Sequence, residues 1–423
     1  MEISQKISRG ERRKVLGLFW TGFTVRVSLL LLLHFSGVER SLRLTKDAFL
    51  YDSLGRQIAD YYRSSGKTAW PSRVTGVIDH LYEHVVGIIY YMSGDSMMAV
   101  RLINALAGSL VILCVWRMAR YITDPKTALR CATWACYFPT QLYYSCLPVR
   151  DSHSTLAMAM IFLGMTAIAS GGRGRHVAAL PIGLVLTAGY RGYVAGVLLF
   201  LVPASWLVSF LVVKSRNKSK FVQRIVVLSF LFVPIMASVG VEKVFTTGKA
   251  AQMTDLDYWN STRVKMNRGS GAVYNSDIPE IGKNVVDTVT GVAIGIYFFF
   301  VSLNPSEMDS VRQWMAIPEV AIVLYMIPKM YRGFRRILKY HRFQCFSLLF
   351  VAFAITFAYS SVTTNAGPLM RWRLQVANVY ILIAAIGYAK NYTPELLRKS
   401  AGRVQPAEQH WQALTPAGTE VRT

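Results

Sequence analysis

Charged residues are scarce in this sequence, and their scarcity limits the class of protein it can encode. Only 17% of the 423 residues are Asp, Glu, Lys or Arg, whereas a soluble domain carries about 25%. Hydrophobic residues make up 53%, and several apolar runs reach the roughly 20 residues that cross a bilayer. The composition excludes a soluble globular enzyme and a disordered chain. It predicts an all-α, polytopic transmembrane helical bundle.

Acidic residues, cysteines and several familiar motifs are also few or absent. Lys and Arg number 47 against 23 Asp and Glu, a net charge of +24. A membrane protein concentrates such an excess in cytoplasmic loops, so nucleic acid is not a favoured partner. The five cysteines show no metal-binding spacing. The sequence lacks a P-loop, a Rossmann glycine pattern, an HExxH motif and an internal repeat. With one firm candidate carboxylate, we expect no metal and no other cofactor.

The apolar runs predict about ten crossings and one re-entrant segment. Basic clusters at 214–220 and 332–342 are placed in the cytoplasm. A further apolar stretch, Val289–Leu303, would reverse that placement if it crossed fully, so we expect it to be re-entrant or interfacial on the outer side. The predicted crossings are residues 15–34, 97–120, 128–147, 152–170, 177–190, 193–213, 222–241, 316–330, 343–362 and 374–390.

This topology predicts one transmembrane domain, residues 1–392, with large outer loops at 34–96 and 242–315. Within the first loop, Leu81–Met92 is amphipathic at helical spacing and is expected to lie in the membrane interface. The polar segment 393–423 is expected to be a disordered cytoplasmic tail. The first apolar run has no cleavage site and is interpreted as a retained span, with both termini cytoplasmic in a bacterial inner membrane.

Asp47, just after the first predicted span, is the first candidate for chemistry. A carboxylate near the outer surface can act as a general base on an acceptor hydroxyl. It can equally be a solvated loop residue or a helix cap, and Asp52 fits that alternative better. Tyr51 shares a helical face with Asp47 at i,i+4 and could orient a substrate there.

Two further candidates lie at predicted span junctions. Arg150 and Asp151 precede the fourth span, where an ionisable pair is functional when it faces the bundle interior. A local ion pair with a capping Asp is the alternative. Arg191 follows Tyr190 at the tip of a short hairpin. It could bind phosphate or stack on a sugar, or it could extend to the interface.

Arg371, Trp372 and Arg373 precede the last predicted span. Guanidinium groups offer fork-like donors to phosphate oxygens, so the two arginines suit an anionic lipid headgroup. An interfacial anchor is the alternative. All these candidates lie at the outer ends of different predicted spans. An outward cavity lined by an acid and several arginines would fit a lipid-phosphate substrate.

The arrangement resembles the GT-C fold of polyprenyl-phosphate-sugar-dependent glycosyltransferases, notably the bacterial relatives of protein mannosyltransferases and the aminoarabinose lipid A transferases. Four stretches of the sequence carry the resemblance. They are Asp47-Ala48 with Tyr51, Gly55 and Ile58-Ala59; Met97 to Leu113 with its Arg101-Leu102-Ile103-Asn104 motif; Arg150-Asp151; and Gly367-Pro368 with Arg371 and Arg373.

The resemblance implies a catalytic role for Asp47 as base. It also implies donor-phosphate binding by Arg371 and Arg373, and less directly by Arg150 and Arg191. Tyr51, Asp52, Asp151, Tyr190 and Trp372 are further substrate-binding candidates. The implied reaction moves a sugar from a polyprenyl-phosphate carrier to a glycolipid or polysaccharide acceptor, with membrane lipids as surroundings. Ala48 stands where protein mannosyltransferases commonly carry Glu, which leaves the acceptor open. A polysaccharide polymerase or ligase and a lipid or saccharide transporter are the alternatives.

Overall fold

The computed structural model describes residues 7–37, 46–65, 80–172, 174–212, 260–261, 284–301, 311–362, 366–390 and 392, and these are α-helical almost throughout. The principal helices are α1 (Arg9–Ser36), α2 (Lys46–Ser65), α3 (Leu81–Ser93), α4 (Met97–Ile122), α5 (Pro125–Cys136), α6 (Pro139–Tyr144), α7 (Asp151–Ala169), α8 (Arg175–Tyr190), α9 (Gly192–Val212), α10 (Val285–Val301), α11 (Val311–Tyr340), α12 (Arg342–Val362) and α13 (Ala366–Tyr388).

Within the described residues, six helices are long and apolar enough to cross a membrane: α1, α4, α7, α9, α12 and α13. The protein is therefore an integral membrane protein. The helices α8, at 16 residues, and α10, at 17, are shorter. The predicted crossing 222–241, the basic cluster 214–220 and the tail 393–423 lie outside the described residues. We call the two ends of the bundle the Arg9 end, where α1 starts, and the Asp151 end, where α7 starts.

The predicted third crossing, 128–147, is wrong as a continuous helix. The chain forms α5 up to Cys136 and then a separate short α6 that begins at Pro139. Proline favours the first turn of a helix because it has no N–H to donate. Arg26 of α1 is fully buried at this break and donates to the carbonyl of Cys136 at 3.3 Å and to that of Gly22 at 2.9 Å. A fully buried arginine thus caps the C-terminal end of α5.

The predicted crossing 316–330 lies within the 30-residue helix α11, which is not among the six helices apolar enough to cross. Near the Arg9 end, α11 lies against α13 at glycine positions. A Cβ added at Gly333 would lie 1.8 Å from the Ile383 carbonyl oxygen, and one at Gly387 would lie 1.8 Å from that of Lys329. Only residues without a side chain let the two backbones approach this closely.

Within the predicted first loop, α2 and α3 form a helix pair at the Asp151 end. A Cβ at Gly55 of α2 would meet Val86 of α3, and one at Gly87 would meet Ile58, each at 2.4 Å. Tyr82 on the apolar face of α3 is fully buried. The helix expected at Leu81–Met92 is confirmed. It packs against α2, and its place in the membrane interface stays a prediction.

Candidate functional site

Asp47 lies in the first turn of α2, where a carboxylate is stabilised by the partial positive charge of the helix N terminus. Its side chain keeps 46% of its accessible surface. The acid is therefore held by its helix and open to an incoming hydroxyl at the same time.

Asp151 is the first residue of α7 and is almost completely buried, with 1% of its surface exposed. The turn before it is fixed from α4. The Asn104 side-chain amide donates to the carbonyls of Leu147 and Val149, the latter at 3.0 Å, and to the Tyr82 hydroxyl at 2.9 Å. The nitrogen of this buried amide shares its two hydrogens among three acceptors, two of them in the turn before α7. It thereby sets where α7 begins, and so where this carboxylate points.

Arg371 of α13 joins the two carboxylates. Its Nη1 lies 2.5 Å from Asp47 Oδ2, and its Nε and Nη2 each lie 2.8 Å from Asp151 Oδ2. Its guanidinium also lies over the ring of Tyr144, 5.8 Å from the centroid. With 21% of its side chain exposed, Arg371 sits between the buried acid and the open one.

Arg191 completes the set from the junction between α8 and α9. Its Nη2 lies 2.8 Å from Asp151 Oδ1, and its Nη1 donates to the Tyr193 hydroxyl at 3.1 Å. The two Asp151 oxygens are therefore each held by a different arginine. We call Asp47, Asp151, Arg191 and Arg371 the mouth cluster. Sequence positions 47, 151, 191 and 371 meet here from α2, α7, the α8–α9 turn and α13.

Arg150 and Tyr190 border the mouth cluster. The Nη1 of Arg150 donates to the Tyr190 carbonyl at 3.0 Å, which ties the start of α7 to the end of α8. The Tyr190 ring faces His153, with centroids 5.4 Å apart. Arg150 brings one more positive charge to this end of the bundle.

A row of rings continues beneath the site. The Tyr51 ring lies 4.8 Å from that of Tyr82, which lies 5.4 Å from His153. Burial raises the pKa of Tyr51 to about 12, so its hydroxyl stays protonated at any physiological pH. Tyr51 thus lies next to the mouth cluster, as its spacing from Asp47 predicted, and remains available as a neutral hydrogen-bond donor.

Arg373 does not lie in the mouth cluster. Residues at i and i+2 of a helix point in different directions, and Arg373 turns into the bundle. There its Nη2 lies 2.6 Å from Glu319 Oε1 of α11, and both side chains are inaccessible or nearly so. Its Nη1 donates to the carbonyls of Phe299 and Phe300 at 2.9 Å and 2.6 Å. The structure therefore separates the two arginines that the sequence suggested would form one clamp.

This buried pair also fixes two helix ends. Glu319 Oε2 accepts the backbone N–H of Thr140 in the first turn of α6 at 2.9 Å. Arg373 caps the last turn of α10, whose C terminus consequently lies inside the bundle. The re-entrant interpretation of Val289–Leu303 stays a prediction, and residues 302–310 lie outside the described part.

Trp372 and Asp52 are placed beside other partners. The Trp372 ring stacks on Tyr359 of α12 with centroids 4.6 Å apart. Asp52 accepts the Tyr90 hydroxyl at 2.5 Å and pairs with Arg56 at 3.2 Å, which joins α2 to α3. Asp52 therefore has a helix-pairing role in the structure, whereas Asp47 faces the cluster.

Glu319 and Asn104, like Arg26, are buried polar residues to which sequence analysis gave no role. Glu319 stands inside a predicted crossing, and an acid in such a position is the signal that could have found it. Asn104 belongs to a stretch that carries the family resemblance, but its role depends on the distant turn that it holds, which that stretch does not reveal. Among the described residues, no group of three or more His, Cys, Asp or Glu could hold a metal ion. The absence of a metal in the working protein stays a prediction.

Comparisons with known proteins agree with this architecture. The model of the family described as dolichyl-phosphate-mannose-protein mannosyltransferase matches residues 81–241, less than half of the chain. No curated protein sequence matches the chain significantly.

Two solved structures from Archaeoglobus fulgidus share the fold. One is the archaeal oligosaccharyltransferase AglB in complex with an inhibitory peptide and a dolichol-phosphate, with a TM-score of 0.55, 13% identity and 98% of this chain covered. The other is an A. fulgidus oligosaccharyltransferase in the apo form, with a TM-score of 0.53, 14% identity and 96% covered. The chain spans about half the length of these proteins, 53% in each case. The expected architecture is thereby confirmed: this chain has a GT-C-type membrane fold.

Proposed function

We propose that the protein transfers a sugar from a polyprenyl-phosphate carrier to a lipid- or polysaccharide-linked acceptor at the outer face of the membrane. The observation that carries this proposal is the mouth cluster, in which one arginine bridges a buried acid and an exposed acid. The matched family, whose description names a dolichyl-phosphate-linked mannose donor, supports a lipid-monophosphate donor.

Arg371 is the proposed contact for the donor phosphate. It is the cluster arginine with the larger accessible surface, since Arg191 keeps only 3%. Arg150 adds a further positive charge beside it. The three arginines outnumber Asp47 and Asp151 by one charge, so an anionic phosphate is attracted to this end of the bundle.

Asp151 is a positioning residue in this proposal. Both of its oxygens are occupied by arginines and its side chain is buried, so it cannot take a proton from an acceptor without losing those pairs. It holds Arg371 and Arg191 in fixed orientations instead. Charges held in place before the reaction stabilise a developing charge without reorganisation.

Asp47 is the proposed general base. A donor phosphate that binds Arg371 would compete for its Nη1 and release the carboxylate of Asp47 toward the acceptor. The base then takes the proton of the acceptor hydroxyl as that oxygen bonds to the anomeric carbon. The bond between that carbon and the phosphate oxygen breaks, the electron pair stays on that oxygen, and Arg371 stabilises the negative charge of the leaving carrier phosphate. A single displacement of this kind inverts the anomeric configuration.

The test compares two carboxylates of α2 in the purified, full-length protein. General base catalysis contributes about 10²–10⁴-fold to rate, so Asp47→Asn should lower sugar transfer within that range at an unchanged unfolding temperature. Asp52→Asn is the matched control and should retain most activity, because Asp52 pairs with Tyr90 and Arg56. If the Asp47→Asn protein transferred sugar at the parent rate, Asp47 would not be the general base.

The choice of donor distinguishes this function from its alternatives. A polyprenyl-monophosphate monosaccharide should be consumed with release of the carrier phosphate. Consumption of only a lipid-linked oligosaccharide would identify a polymerase or ligase, and sugar movement across vesicles without bond cleavage would identify a transporter.

The bacterial inner membrane and cytoplasmic termini belong to the proposal as well. If a cysteine introduced at position 260 were labelled only from the cytoplasm, that result would contradict the proposed topology.

A further inference from the structure

A cavity opens at the Arg9 end, on the opposite side of the bundle from the mouth cluster. It has a volume of about 510 Å³ and lies between α1, α4, α7 and α8. Leu163 in its wall is twelve residues after Asp151 on α7, which places it about 18 Å further along the helix axis. The cavity is therefore separate from the candidate active site and within the size range of ligand pockets.

The body of this cavity is apolar. Val15 and Leu16 of α1 line it together with Leu113 and Trp116 of α4 and Leu163 of α7. Hydrocarbon walls between transmembrane helices favour a hydrocarbon occupant over a water-soluble one, because a soluble anion would lose hydration without gaining contacts. The walls alone indicate an acyl chain.

The rim is cationic. Arg12, Arg117 and Arg175 line the cavity, one each from α1, α4 and α8. The Nε and Nη1 atoms of Arg117 are buried and have no hydrogen-bond partner within the described part of the chain. Buried donors of this kind are costly unless a partner is supplied, and Arg117 lines the cavity, so an anion bound there would compensate the charge of its guanidinium.

Neighbouring groups hold Arg117 in place without neutralising it. Its guanidinium lies over the Tyr121 ring, 5.2 Å from the centroid. The Tyr121 hydroxyl lies 3.0 Å from His176 Nδ1, which also fixes that wall. The nearby acid Glu11 pairs with Arg120 at 2.5 Å, so its charge is already compensated. The rim keeps a net positive charge.

We propose that this cavity binds one anionic phospholipid from the leaflet at the Arg9 end. Its phosphate accepts from Arg117 between Arg12 and Arg175, and an acyl chain lies along the apolar wall. The inference does not depend on the reaction at the mouth cluster, since the two sites occupy opposite ends of the bundle.

Native mass spectrometry of the full chain, released from nanodiscs of phosphatidylcholine with or without phosphatidylglycerol, tests the proposal. The parent should retain one phosphatidylglycerol in preference to phosphatidylcholine. Arg117→Gln should weaken that retention about fivefold or more, the effect of one juxtamembrane cation. Arg13→Gln is the matched control, because Arg13 is the exposed neighbour of Arg12 and does not line the cavity.

A cavity-filling variant separates a seated lipid from diffuse surface charge. Leu113→Trp keeps every arginine and should also reduce retention, since it occupies the space of the acyl chain. Equal losses in Arg117→Gln and Arg13→Gln, or no preference for phosphatidylglycerol, would overturn the proposal. Displacement of the lipid by glycerol phosphate alone at equal concentration would also overturn it, because the apolar wall would then contribute nothing.

Discussion

Arg371 and Arg373 stand two residues apart on α13 and belong to two different ion-pair regions. The mouth cluster keeps accessible surface, with Asp47 at 46% and Arg371 at 21%. The interior pair, Glu319 and Arg373, keeps 0% and 2%. Similar chemistry therefore stands in opposite surroundings: the pair at the mouth is open to solvent, and loss of one partner in the interior would leave a charge without a partner.

The largest expected effect comes from breaking the interior pair. Arg373→Ala leaves Glu319 buried and unpaired and removes the donor to the Phe299 and Phe300 carbonyls. Loss of one partner of a buried pair costs about 3–5 kcal/mol. Thermal unfolding in detergent should show a large fall in the midpoint for this variant.

The matched control removes both charges. Glu319→Met combined with Arg373→Met should recover part of the loss, because two apolar side chains leave no buried charge. An unchanged midpoint in Arg373→Ala would show that the pair does not stabilise the bundle, and the distinction between the two regions would fail.

A smaller effect on stability and a large effect on rate are expected at Arg371. Arg371→Ala should lower transfer about 10²–10³-fold, the usual cost of removing one donor to a developing charge. Asp151 would still be paired with Arg191, so the unfolding midpoint should fall less than in Arg373→Ala. Arg371→Lys should recover only part of the rate, since an ammonium lacks the planar fork that reaches two carboxylates. Full recovery by lysine would argue against the bridging role.

The smallest effect is expected at a third, exposed ion-pair region. Asp95 lies 2.7 Å from Arg63 and 3.2 Å from Arg56, and the hydrogen bond from Arg63 lowers the pKa of its carboxyl. Asp95→Asn should shift the unfolding midpoint only slightly, because exposed pairs contribute little. Its backbone φ of 65° is one that Asn tolerates.

The sign of its pH dependence follows from that lowered pKa. Any contribution of the Asp95 carboxylate is complete above the ordinary carboxyl pKa of about 3.9 and is lost as the pH falls through the lowered value. Parent and Asp95→Asn midpoints should therefore converge in acid. A difference that grew on acidification would contradict the pairing with Arg63.

The long apolar runs predicted most of the fold, because hydrocarbon thickness imposes a helix of fixed minimum length. The positions of Asp151 at the start of α7 and of Arg191 between α8 and α9 followed from where those apolar runs end. The break at Pro139 was missed, since the run around it is apolar on both sides and only the proline marks it.

The residues of the candidate site could be predicted from the sequence, but the contacts between them could not. Asp47 and Arg371 were identified by their places beside predicted spans. Their contact is not encoded locally, because it joins residues more than 300 positions apart. Arg373 was grouped with Arg371 by sequence adjacency, although helical geometry alone turns the two side chains apart.

The pairing of Glu319 with Arg373 also determines the order in which parts of the protein can reach their final contacts in the bilayer. Thr140, the end of α10 and Glu319 are all synthesised before α13 supplies Arg373. Until that helix inserts, an acidic side chain and the carbonyls of Phe299 and Phe300 lack their cationic partner. A nascent chain that stalls before α13 therefore exposes an unpaired charge to lipid, the kind of defect by which membrane quality control can distinguish unfinished chains from finished ones.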